Sequence, residues 1–185
     1  MAFMGADASH KRYADEILQA RPGMKVLDVG CGPAAILGYL PKVDYTGIDL
    51  NEKHIAFARS HFGEKGRFIV GNAAADLKQE EGTFDLINVS GLLHHLSDDE
   101  CRSLFVSLKK LLKPDGRIVT LDNVWLPRQR LAVKMLNSMD SGLNIRTPEQ
   151  YLDLPKGLSF DIESRILHDM LRIPYDHFIM IARNQ

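Results

Sequence analysis

The chain has 185 residues and a mass of 20.8 kDa, the size of one ordinary domain, which buries roughly 70% of the surface that its unfolded form exposes. Hydrophobic residues make up 45% and charged residues 25%, with a mean hydropathy of -0.15, a balance that excludes both a disordered chain and a membrane-spanning one. Lys and Arg total 23 against 24 Asp and Glu, so the net charge of -1 creates no overall field to gather nucleic acid or anionic lipid, and a small-molecule partner is expected.

The two cysteines, Cys31 and Cys101, form no CxxC pair, so neither a disulfide framework nor a cysteine zinc site is expected, and the compartment is expected to be reducing. The first ten residues lack a basic flank leading into an apolar core, and no stretch nears the roughly 20 apolar residues of a bilayer span. A cytoplasmic protein with no membrane partner is the expectation.

In chain order, residues 12–19 read as a helix, and residues 24–29, 43–48, 67–70, 84–89 and 117–121 read as strands too apolar to be half exposed. Helical stretches at 33–40, 52–62 and 98–112 alternate with them, which is the pattern of a doubly wound α/β domain. The helix over 98–112 has the clearest ends. Ser97 and Glu100 fit a capping box, while Leu104, Leu108, Leu111 and Leu112 share one face. Lys109, Lys110 and Lys113 suit the negative end of its dipole, and Pro114, Asp115 and Gly116 predict a turn into the next strand. From 122 to 156 the alternation loosens around a helix predicted over 128–139. Strand signals return at 160–167 and 178–182 as an antiparallel pair that would complete one edge of the sheet.

The first strand runs into Asp28, Gly30 and Gly32, and two glycines after a strand permit a tight turn and close backbone approach by a ligand. Asp49, 19 positions after Gly30, ends the next strand, where a carboxylate can accept both hydroxyls of a ribose. Gly30, Gly32 and Ala35 also satisfy the looser dinucleotide fingerprint, so an NAD(P)-dependent oxidoreductase is one alternative. Asp28 argues against it, because a carboxylate at the strand end repels a pyrophosphate and suits a cation. Cys31, with no neighbouring His or Lys in sequence, reads as packing behind the loop.

The motifs VLDVGCGPA at 26–34, GIDLN at 47–51, GNAAAD at 71–76, FDLINVSGLLHHL at 84–96 and LKPDGRIVTLD at 112–122 together resemble the class I S-adenosylmethionine-dependent methyltransferases over residues 13–122. That resemblance implies a Rossmann-like fold with a seven-stranded, mostly parallel sheet of order 3-2-1-4-5-7-6 and its last strand antiparallel. It implies S-adenosylmethionine as cofactor and S-adenosylhomocysteine as product, with no metal. By motif, Asp28, Gly30 and Gly32 would line the methionine portion and Asp49 would hold the ribose. Leu50 would cover the adenine, Asn72 and Ala73 would meet its edge, and Ser90 would offer backbone atoms near the amino group. Asn72 stands where the commoner form of the third motif has an aspartate, and Asp76 is a candidate substitute.

His94 and His95 follow the fourth strand, where the family places the acceptor, and a histidine there can take a proton from a hydroxyl or amine nucleophile. The competing reading is loop architecture. Asp122, Asn123, Trp125, Asp140, Arg146, Tyr151, His168, Arg172, Tyr175 and His177 are the polar and aromatic candidates for the acceptor side, with Arg146, Tyr151, Tyr175 and His177 foremost.

The expectation is one methyltransferase domain over 1–185, with 1–122 as the cofactor half and 123–185 shaping the acceptor pocket and closing the sheet. It would act as a monomer or weak homodimer on a small-molecule acceptor through oxygen, nitrogen or carbon, without a nucleic-acid partner. A non-catalytic module that binds S-adenosylmethionine is the second alternative.

Overall fold

A computed structural model of the chain describes residues 3–77, 80–140, 142–168 and 175–184. Seven strands form one sheet in the order β3-β2-β1-β4-β5-β7-β6. They are β1 Lys25–Val29, β2 Asp44–Asp49, β3 Gly66–Val70, β4 Phe84–Ser90, β5 Leu112–Asn123, β6 Phe160–His168 and β7 Asp176–Asn184. β1 to β5 pair in parallel, and β7 runs antiparallel to both β5 and β6, as the motif resemblance implies.

Period-two alternation divides the strand side chains between two apolar layers. Leu27, Ile87, Ile118 and Met180 face the layer of α4 Asp98–Leu111 and α6 Pro148–Asp153. Val26, Leu86, Val119 and Ile179 face the layer of α2 Glu52–Phe62 and the amino-terminal turns. Strands buried on both faces explain the near-continuous apolar runs of β1 and β4. β3 departs from that expectation, because it is the sheet's edge and buries only Phe68.

Both reciprocal bonds of the Ser97–Glu100 capping box form at the start of α4, and Leu104, Leu108, Leu111 and Leu112 are buried. The helix expected over 33–40 shortens to a 3-10 turn, Ala35–Tyr39, because Ala34 adopts the left-handed conformation with φ 58°. The helix expected over 12–19 is instead a π-helical turn, Tyr13–Leu18, that continues from α1 Phe3–Arg12. Pro114, Asp115 and Gly116 make no separate turn. Phe84 pairs with Leu112 and Leu86 with Arg117, so the extra residues form an irregularity inside a longer β5. Completing the elements are α3 Ala73–Asp76 and α5 Leu131–Met139, the latter three residues shorter at its start than the sequence pattern suggested. Among the described residues no helix is long and apolar enough to cross a membrane.

Candidate active site

The carboxyl-terminal ends of β1, β2, β3 and β4 lie side by side because the strands are parallel neighbours, and this brings the sequence-predicted site residues to one edge of the sheet. The glycine loop is fastened to β2 through main-chain and carboxylate bonds. Gly30 N donates to Ile48 O at 2.8 Å, and Gly32 N donates to Asp49 Oδ2 at 2.8 Å. Asp49 Oδ1 accepts from Asn51 N at 2.8 Å, and the Asn51 side chain in turn caps α2. Gly30 and Gly32 both have positive φ, at 70° and 53°, which favours glycine. Cys31 packs behind the loop as expected. A Cβ on Gly47 would stand 2.9 Å from Cys31 Sγ, and burial raises the thiol pKa, which disfavours the thiolate.

Asp28 is 3% exposed and meets the site from beneath the loop. Its Oδ2 accepts from Tyr45 Oη at 2.6 Å and its Oδ1 from Asn88 Nδ2 at 2.7 Å, while Tyr13 Oη donates to Asn88 Oδ1 at 2.7 Å. Desolvation pushes the Asp28 pKa up to about 6, against the lowering effect of the Tyr45 and Asn88 bonds. Both carboxylate oxygens are thus hydrogen-bonded, and a cation brought beside them would favour the ionised form. Sequence reasoning missed Tyr45 and Asn88. The one usable signal was Asn88, a polar residue inside an otherwise apolar strand.

Beside Asp49, Leu50 stands 73% exposed at the rim. The third motif joins the same edge, with Gly71 N donating to Asp49 O at 3.0 Å. Asn72 is exposed and its backbone N–H donates to Asp76 Oδ2 at 2.7 Å, so Asp76 folds back on this turn. Ala73 is buried and can offer only its backbone. Ser90 ends β4 and is half-buried.

The two histidines differ. His94 is 6% exposed, its Nδ1 lies 2.8 Å from Asp122 Oδ1 and its Nε2 3.6 Å from Asp140 Oδ1. Gly142 packs against its ring so closely that a Cβ there would reach 2.1 Å from Cδ2. His95 is exposed on the same 3-10 turn, Leu93–His95, and its pKa is lowered by desolvation and then by His94. Burial raises the Asp122 pKa.

Arg146 and Tyr151 are structural here. Arg146 is 4% exposed and donates from Nη1 to Leu93 O at 2.8 Å and Asn144 O at 3.0 Å, from Nη2 to Leu96 O at 2.7 Å, and from Nε to Asp98 Oδ1 at 2.8 Å. It therefore clamps both ends of the histidine turn. Tyr151 Oη donates to Asn123 O at 2.8 Å from a fully buried ring. His177 is 4% exposed, and desolvation lowers its pKa to about 4; the Tyr175 ring lies tilted beside it, 6.0 Å between centroids. Arg172 lies outside the described residues.

A carboxylate at the end of β2 that ties down the glycine loop, a second, buried carboxylate beneath that loop and a stretch 28–37 with no basic side chain suit a cationic ligand better than a pyrophosphate.

Comparison with known proteins agrees. A family profile described as a methyltransferase domain matches residues 26–116. A methyltransferase of Synechocystis is 32% identical over 136 residues, which cover 71% of this chain and 64% of that protein. Squalene methyltransferase 1 of Botryococcus braunii is 32% identical over 168 residues, 83% of this chain and 44% of its own. The chain thus spans less than two thirds of the length of these relatives. Among solved structures, the 1,6-didemethyltoxoflavin-N1-methyltransferase of Burkholderia thailandensis, crystallised with bound 1,6-didemethyltoxoflavin and S-adenosylhomocysteine, superposes with a TM-score of 0.75. It is 23% identical and is matched over 100% of this chain and 82% of that one, a likeness of fold. Motifs, sheet order, the carboxylates at the strand ends and these relatives agree: residues 26–116 are a methyltransferase domain, and the chain around it resembles the class I S-adenosylmethionine-dependent methyltransferases.

Proposed function

We propose that this chain binds S-adenosylmethionine along the carboxyl-terminal edge of β1, β2 and β4 and transfers its methyl group to a small-molecule acceptor. The observation that carries the reading is the Gly32–Asp49 bond, which fixes the glycine loop against a carboxylate at the end of β2, with Leu50 exposed beside it. When bound, the cofactor supplies a methyl group on a sulfonium, open to in-line displacement by a nucleophile.

The protein's part is mainly alignment. Gly30 and Gly32 allow close backbone approach, Asp49 accepts from ribose hydroxyls, and Leu50 covers the adenine. Asn72 and the backbone of Ala73 meet its edge, and Ser90 offers backbone atoms to the amino group. Asp28 supplies negative charge from below through the Tyr45–Asn88 network. His95, exposed and kept neutral, takes the proton when the acceptor nucleophile carries one. His94, held by Asp122, positions that turn.

Residues 1–185 act as one domain, with 1–122 holding the cofactor and 123–185 shaping the acceptor side. Relatives named for phosphoethanolamine and squalene, and the neighbour crystallised with 1,6-didemethyltoxoflavin, support a small acceptor. The near-neutral charge supports the absence of a nucleic-acid partner, and we place the protein in the cytoplasm as a monomer or weak homodimer.

The test joins calorimetry with S-adenosylhomocysteine to a methyl-transfer screen over diverse small molecules, scored by S-adenosylhomocysteine released. His95→Asn should lower turnover on a proton-bearing nucleophile by 10²-fold or about that, with cofactor affinity unchanged. Tight NADH binding with none of S-adenosylhomocysteine would overturn the cofactor assignment. Cofactor binding with no turnover on any acceptor would favour the non-catalytic module.

A further inference from the structure

Helix α5 is amphipathic in an unusual sense, because its solvent side is its apolar side. Leu131 is 84% exposed, Met135 63% and Met139 73%, and Leu143 just beyond is 93% exposed. Leu131, Met135 and Met139 follow a spacing of four, so they form one stripe along the helix. The opposite face is the anchored one. Val133 and Asn137 are buried there, and Asn137 Nδ2 donates to Val124 O at 3.0 Å. The stripe is thus presented outward by a helix fixed to the end of β5.

Charge identifies what would cover it. Residues 123–139 carry Arg128 and Lys134, both exposed, beside Arg130, which already has a partner, and no Asp or Glu, in a chain whose net charge is -1. The acids that bracket the segment are turned away. Asp122 is 2% exposed, and Asp140 accepts from Asn123 Nδ2 and Gly142 N. Exposed apolar side chains on a short helix with basic residues alongside suit the interface of an anionic bilayer, where the former enter the acyl boundary and the latter meet phosphates. A second copy fits poorly. A two-fold contact would bring the same cations face to face, and four side chains fall well short of about 800 Å² per partner.

We propose that α5 and Leu143 form a peripheral docking face for an anionic phospholipid surface. Whole-chain charge pointed away from a membrane because it averages over this local surplus. The inference is independent of the methyl-transfer reading, and its test reads binding alone.

The full chain is floated with vesicles of phosphatidylcholine, with or without an equal part of phosphatidylglycerol, at low and high salt. Binding to the anionic vesicles, weakened by salt, is expected. Arg128→Gln with Lys134→Gln should lower partitioning roughly 25-fold, about fivefold for each cation. Leu131→Gln with Met135→Gln should abolish it, and the melting temperature should stay near the parent's because these side chains are exposed. No enrichment on anionic vesicles, or enrichment indifferent to both double variants, overturns the proposal. So does a dimer in size exclusion that Leu131→Gln with Met135→Gln converts to monomer, which would make a second copy the occupant.

Discussion

The rim formed by β1 and β2 and the turn that follows β4 solve the same problem, holding a loop at the edge of a parallel sheet, by different means. At the rim, fastening comes from backbone amides and one carboxylate. Gly30, Gly32 and Asn51 donate within a span of about twenty residues, and glycine φ values set the path. At the turn, fastening comes from distant side chains. Arg146 reaches Leu93 O across 53 positions and Asp122 reaches His94 across 28. The rim depends on residue type at fixed spacing, so it repeats as a motif. The turn depends on a later segment folding back, so nothing local announces it.

Arg146→Ala should break the turn and produce the largest effect. It leaves three carbonyls, those of Leu93, Asn144 and Leu96, without their buried donor. A loss of about 3 kcal/mol is expected, seen as a fall of roughly 6–12 °C in melting temperature. A shift below 2 °C would show that the turn holds itself.

Asp49→Ala should break the rim with the opposite signature. Affinity for S-adenosylhomocysteine is expected to fall by about 10- to 100-fold, the worth of hydrogen bonds to a charged group, while the melting temperature moves less than with Arg146→Ala. If stability falls more than affinity, Asp49 serves the loop and not the ligand.

The smallest effect sharpens the comparison, because it tests a charge that serves the rim from the interior. Asp28 titrates near pH 6 without a ligand, and a nearby ammonium or sulfonium favours its ionised form. Cofactor binding should therefore be independent of pH above that value and weaken by up to tenfold per unit as pH falls below it. Asp28→Asn should flatten that profile. A profile that is already flat in the parent would separate Asp28 from cofactor charge.

Much of the fold was legible because short strands buried on both faces and capped helices leave local marks. Glu52–Phe62 and the Ser97 cap show this directly. The places where the reading failed are places where a single backbone angle or a neighbour decides. Ala34 at φ 58° cuts a helix to a 3-10 turn, and β3 is half exposed because nothing pairs beyond it. Arg146 and Tyr151 had the composition of acceptor ligands, yet the fold spends both on carbonyl groups.

By itself the sequence determined the alternation of strands and helices and placed carboxylates at two strand ends, and its resemblance to the class I methyltransferases implied the sheet order and the cofactor class. Tertiary structure alone decided that Asp28 is answered by Tyr45 and Asn88, that His94 is buried while His95 is exposed, and that the apolar face of α5 looks outward. The physical reason is range. Strand and turn preferences act between neighbours in sequence, whereas burial and the bonds that satisfy a buried charge are set by whichever distant segment arrives beside it.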